Sequence, residues 1–563
     1  MLKSGVVGFL TLAVGLAACG PAAPPSPSSR GAETGEVRAP KRMTAAIMGD
    51  AHTVAQKLNP ASYVPGIDTV EELVSAGLTN PSDQGVQRPQ LAEASPTIEN
   101  GLWRLLPDGR METTWRIREG AQWHDGTPFS TADLLFTLTV AREQPEFGDG
   151  ALNAIAGVET PDSRTVRVTW REPVIRADAM FSRSLALPLP RHILERPFLE
   201  DRAGFIELPY WSQDFVGSGP YKLREFVRGS HLVLEANDQY VLGRPKVDVI
   251  EVKFIPDSKT LMSNILAGAV ELTLGRNLSL EEGMQVRDQW RDGNLYLNAS
   301  GAIQLHPQFV NPAQPLITNL QFRQGLYHAI DRQELASGIQ RGEGTIAHTF
   351  VVPNQAEFGS IEGSIVRYEY DPRKAIQLLE GLGLARGSDG FFRDASGQRL
   401  SVEVIGAGGE ANLKSVPIVA DFWRRIGVET GESVVPVQRQ RDFEWTANYP
   451  GFELSRRGAD LKNLTRYHGS QIPTAERNFQ GTNVPRYSAA ELDGLIDSYH
   501  RTIALQERMG PLSGIVRHVS ENLVLMTLFY DKEVTMIGSR LQNVNKGLSS
   551  TQAWNAEVWD VAS

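Results

Sequence analysis

One cysteine, Cys19, stands in a chain of 563 residues. No internal disulfide is available, and no pair of thiolates can staple the chain to a metal. Everything after residue 40, about 520 residues, has to hold itself together by burying apolar side chains. Nowhere in that stretch do 18 apolar residues run consecutively, so those side chains are destined for water-excluding cores and not for a transmembrane helix. The length exceeds what one core supports and predicts about three domains.

The place of that cysteine is informative in itself. Met1, Leu2 and Lys3 form a small positive segment, and Gly5 to Leu16 follow without a charge. Ala17 and Ala18 then lead directly into Cys19. This is the layout of a secretory signal, too short for a stable span. Leu16-Ala17-Ala18-Cys19 resembles the bacterial lipobox, which implies a lipoprotein signal over residues 1–19 and a diacylglycerol on the Cys19 sulfur. The alternative is a signal peptide that merely contains a cysteine. Acyl chains would hold the protein at a membrane surface, since each buried CH₂ contributes about 0.8 kcal/mol. Residues 20–39, rich in Pro, Ser, Ala and Gly, cannot bury enough surface to offset their ordering entropy, so a flexible tether is expected there.

The body mixes strand and helix signals throughout, which places it in the α/β class. Thr165–Trp170, His231–Ala236 and Val247–Ile255 alternate between apolar and polar residues as half-buried strands do. Ser130 with Asp133 forms a capping-box pattern before an apolar run, Asn319 and Asp331 can cap two further helices, and Asp371-Pro372 opens another. The net charge is −10 and no basic run occurs, which argues against nucleic acid as a partner.

A search for enzyme chemistry finds little. There is no H-E-x-x-H, no C-x-x-C, no Gly-Lys dipeptide for a phosphate loop and no G-x-S-x-G. Gly342-Glu343-Gly344-Thr345-Ile346-Ala347 matches a dinucleotide fingerprint in letters only, because it follows a helix pattern and not a strand. The ten histidines are scattered singly, so no metal site and no cofactor is expected.

Several stretches in one order carry a resemblance to the family-5 extracellular solute-binding proteins. They are Pro89-Gln90-Leu91-Ala92-Glu93, Arg116–Leu135 with its Trp123-His124-Asp125-Gly126-Thr127-Pro128-Phe129 loop, and Pro188–Leu194. Gly217-Ser218-Gly219-Pro220-Tyr221, Phe322–Arg332, Tyr370–Leu379 and Tyr487–Asp493 continue the series, and Trp559-Asp560-Val561 ends it. The turn dipeptides Asp125-Gly126 and Gly219-Pro220 suit strand reversals, so these motifs are expected to specify scaffold. His124 is accordingly expected to make a structural hydrogen bond in preference to a ligand or metal contact.

The resemblance implies a two-lobed periplasmic-binding-protein fold with a hinge and an additional domain on one lobe. Lobe I would hold 40–62, 213–300 and 527–563, the additional domain 63–212, and lobe II 301–526. It further implies a monomer that captures a peptide-like or other small solute and passes it to an ABC permease and ATPases, outside the cytoplasm and held to a membrane by its lipid. A lipid-anchored cell-envelope hydrolase is the competing possibility. In peptide-binding members an acidic segment meets the ligand's amino terminus; the stretch that resembles it here is Trp445-Thr446-Ala447-Asn448-Tyr449-Pro450. Trp445, Asn448 and Tyr449 are therefore candidate ligand residues, with an amide at Asn448 where an acid is expected. A neutral amide cannot make the charge-assisted pair with an ammonium, which puts peptide uptake in doubt. Arg456 and Arg457 could receive a carboxylate or phosphate, or form a solvated pair on a surface loop.

Overall fold

The computed structural model describes residues 39–59, 64–144, 146–439, 442–459, 461–546 and 552–562, so Cys19, the signal and the tether up to residue 38 lie outside the described residues. The body, Pro40–Ser563, is one compact unit. No helix among the described residues is long and apolar enough to cross a membrane.

Two long strands organise the body. Gly293–Pro307 and Met526–Gly538 pair antiparallel, from Gly293 opposite Gly538 to Leu305 opposite Met526. At one end of this ribbon Ile537 pairs with Leu272, and the sheet continues through Arg42–Ile47, Val249–Phe254, His231–Ala236 and Tyr221–Val227. At the other end Gly301–Pro307 pairs with Phe452–Gly458, and the sheet continues through Ser401–Gly406 and Glu429–Val434. One 11-stranded sheet therefore has two halves, joined by a two-stranded ribbon.

Each half has its own core. Parallel pairs such as Arg42–Ile47 with Val249–Phe254, and Ser401–Gly406 with Glu429–Val434, need crossover connections and cover on both faces. Ile47, Leu73, Leu234, Ile250 and Trp559 fill the first half. Phe322, Val404, Phe422, Trp423 and Phe452 fill the second. A separate four-stranded antiparallel sheet, built from Trp103–Leu105, Met111–Arg116, Thr165–Trp170 and Ile155–Glu159, buries Trp115 and Trp170. Its core runs on without a break into Tyr467, Ile496 and Val516, which belong with the helices Ala490–Arg501 and Leu505–Glu521.

Local signals explain the helix starts. Ser130 and Asp133 form the reciprocal capping box ahead of Thr131–Glu143. Asn319, Asp331 and Asp371 each accept the backbone N–H three residues on. The helix from Leu320 stops at His328, two residues short of its apolar pattern, because Asp331 opens the next helix immediately afterwards. His124 is buried between the antiparallel sheet and the first half, where Nδ1 accepts from Gly217 N–H at 3.1 Å and Nε2 donates to the Gly219 carbonyl at 3.1 Å. Burial pushes its pKa down to about 4, so the ring is neutral and serves as a structural clasp.

Candidate functional site

The regular pairing of the ribbon breaks at its middle. Ala299 faces Lys532 while Gly301 faces Asp531, which leaves Ser300 as an extra residue on its strand. Such a bulge bends a strand and re-aims the side chains beside it. Gly301 is required there, because a Cβ would lie 2.4 Å from the Arg457 carbonyl oxygen. Asp531 and Glu533, on the opposite strand, are both nearly buried. A buried carboxylate is costly unless it is paired, and both find arginines.

Asp531 Oδ2 accepts from Arg456 Nε at 2.7 Å and from Arg276 Nη2 at 2.5 Å. Arg456 Nη2 also donates to Glu533 at 2.8 Å and to the hydroxyl of the bulged Ser300. Arg457 points the other way and donates to Glu453 at 2.9 Å, and Glu453 accepts in turn from Ser455. Arg456 and Arg457 are thus not a loop pair: they lie on the strand Phe452–Gly458, and internal acids orient both. They share an open concavity of about 390 Å³ with Gly408, Gly409, Thr446 and Ser455. The helix Glu410–Arg425 starts at that wall, so its N-terminal partial positive charge adds to that of the arginines. The arrangement suits an anionic group.

The segment 445–449 contributes differently from Arg456 and Arg457. Phe443–Ala447 is a short helix, capped by Asp442. Tyr449 is buried, with its hydroxyl donating to the Val484 carbonyl at 3.0 Å, and its ring packs with Ile405 and Val435 while Trp445 lies against the same cluster. Asn448 is exposed; its Nδ2 donates to the Glu444 carbonyl, and its Oδ1 accepts from Arg486 at 2.8 Å. The structure brings Arg456, Arg457 and Thr446 to one concavity and turns Tyr449 inward. Arg276, Asp531, Glu533 and Ser300 join the site only through the fold. The signal for two of them was legible: Asp531 and Glu533 interrupt Met526–Gly538, a strand buried almost along its whole length.

Further charged groups flank the site. On the helix Ile67–Val74, Asp68, Glu71 and Glu72 are all buried, and Arg183 lies 3.8 Å from Asp68. At the outer mouth, Glu281 of the first half accepts from Lys414 at 3.1 Å and from Arg341, both carried by the segment between the two ribbon strands. A concavity of about 510 Å³ opens there, between Met262, Gln285 and Lys414.

The model of the bacterial extracellular solute-binding proteins, family 5, matches residues 88–464, more than half of the chain. The chain belongs to this family. Its work is the capture of a solute and not the turnover of a substrate. The oligopeptide-binding protein AppA of Bacillus subtilis is 23% identical over 500 residues, covering 84% of this chain and 88% of AppA. The crystal structure of NikZ from Campylobacter jejuni, in complex with Ni(L-His), superposes with a TM-score of 0.71 at 20% identity, covering 92% of this chain and 99% of NikZ. NikA from Brucella suis, in complex with Fe(III)-EDTA, gives 0.73 at 21% identity, covering 92% and 99%. The two-lobed binding-protein fold is therefore shared along nearly the whole body.

Proposed function

We propose that this family-5 protein is the monomeric, lipid-anchored receptor of an ABC importer, and that it captures a solute with an anionic group. The observation that carries the solute class is the pair Arg456 and Arg457, which flanks a concavity beside the start of the helix Glu410–Arg425. Cationic side chains held by internal acids are preorganised, so little side-chain entropy is lost when an anion arrives. Relatives that bind Ni(L-His) and Fe(III)-EDTA support a carboxylate-bearing chelate, and a relative named for oligopeptides supports a peptide-like solute. At Asn448 an amide stands beside the Arg486 cation, a poor setting for a ligand ammonium. Membrane attachment would rest on Cys19 and the tether over 20–39. The lobe assignments made from the sequence remain part of this proposal, with the ribbon as the hinge.

A thermal-shift screen of the purified protein against carboxylates, metal chelates and capped peptides tests the proposal. A stabilising anionic compound recovered chemically unchanged is the expected result. Turnover of that compound would convert the protein into an envelope hydrolase and end the receptor reading.

A further inference from the structure

Asp531 accepts from one arginine of each half of the sheet. Arg276 comes from the first half. Its loop is fixed there by Asn277, whose side chain accepts from Met48 N–H and donates to the carbonyls of Ala46 and Leu274. Arg456 comes from the second half, on a strand paired in register with Gly301–Pro307. Both arginines meet the same oxygen of Asp531, whose side chain is only 3% exposed. The meeting point lies beside Ser300, at one of the two places where the ribbon's pairing is irregular, and such irregularities are where strands bend.

We infer that Asp531 is a positioning residue that latches the two halves together and presents Arg276 and Arg456 side by side to the solute. This rests on the receptor reading and deepens it. Bending the ribbon at the bulge carries the Arg276 loop away from the Phe452–Gly458 strand, so opening has to break one of the two contacts to Asp531. Among the described residues the donors of Arg276 other than Nη2 have no partner, and its side chain is 38% exposed. An anion in the cleft can take those donors only while Asp531 holds the arginine beside Arg456. Capture and closure are thereby coupled through one carboxylate. The outer contacts of Glu281 with Lys414 and Arg341 also span the halves, but they are solvent-exposed and contribute less.

The test uses the full chain with Cys19→Ser, which removes its one thiol. Cysteines introduced at Leu266 and Leu413, exposed positions on the two sides of the mouth, then carry spin labels for distance measurement without solute. Asp531→Asn is expected to raise the long-distance population at least threefold, and Arg276→Gln to do the same. The double variant is expected to move it no further than either single one, because both changes break one contact. Glu281→Gln serves as a comparison and is expected to shift the distances less. Unchanged distances in Asp531→Asn and Arg276→Gln, or additive shifts in the double variant, would overturn the inference. If Asp531→Asn fails to fold, Arg276→Gln decides alone, since its side chain sits half-exposed on a loop. Turnover of a solute would remove the receptor reading without touching these distances, so the two failures are distinguishable.

Discussion

Arg457 donates to Glu453 and lines the concavity, and Arg456 beside it is held through Nε and Nη2 by Asp531, Glu533 and Ser300. Removing one charge-assisted hydrogen bond to a bound anion costs about 1.5–3 kcal/mol, roughly tenfold to hundredfold in affinity. Arg457→Gln should therefore weaken the anionic solute by that factor in calorimetry, with little change in thermal midpoint, because Glu453 keeps Ser455 as a donor. Capped peptides should bind at least tenfold tighter than the same peptides with free amino ends; the reverse order would place an ammonium site in the cleft. The sequence made the arginine pair visible as a pair of cations but left its surroundings open. Arg457 finds Glu453 four residues back, but the partners of Arg456 lie about 75 residues on, at Asp531 and Glu533, and no local pattern links them. Segment 445–449 was open for the opposite reason. Its letters resemble a ligand segment, yet packing against Ile405 and Val435 decides where Tyr449 points.

Among the elements, the helix Ile67–Val74 has the most unusual chemistry, since all eight of its residues are buried and three are acids. Burial raises the pKa of both Glu71 and Glu72 to about 7, although Arg183 opposes the shift. Glu71 accepts from Gln56 N–H, and Glu72 accepts from Asn80 and from Ala553 N–H, so the acids clip three distant segments together. In the unfolded chain the same carboxyls titrate near 4.5. A folded pKa above the unfolded one gives stability that is complete below about pH 4.5 and is lost as pH rises toward 7. Thermal midpoints measured from pH 5 to pH 8 should fall through this window, and Glu71→Gln should flatten the fall by on the order of 2 kcal/mol. A midpoint that rises equally in both proteins would refute the assignment. Caps at Ser130, Asn319, Asp331 and Asp371 were legible because each acts within three residues. The ribbon was not: Gly293–Pro307 shows no clean alternation, because Gly301–Pro307 is buried on both faces while the residues before it are mostly half-buried.

At the scale of the whole molecule, the proposed anchor is checked by Cys19→Ser, which should release the protein from membranes or leave its precursor uncleaved. Unchanged attachment, with no incorporation of labelled fatty acid, would exclude the lipid. Mixed α/β class and a body of several cores could be read from patterning and length, but the route of the chain between the halves could not, because strand order is a property of contacts far apart in sequence. That route bears on the order in which the protein assembles. The strand Arg42–Ile47 emerges early in synthesis, yet its neighbour Leu272–Thr273 must wait for Ile537, and its core waits for Trp559. The ion pair between Lys41 and Asp560 closes a span of 519 residues. The stretch between the two ribbon strands carries its own buried core and can settle before synthesis ends. The half that is made first is thus completed last, so a chain that has not yet received Ile537 and Trp559 cannot close it.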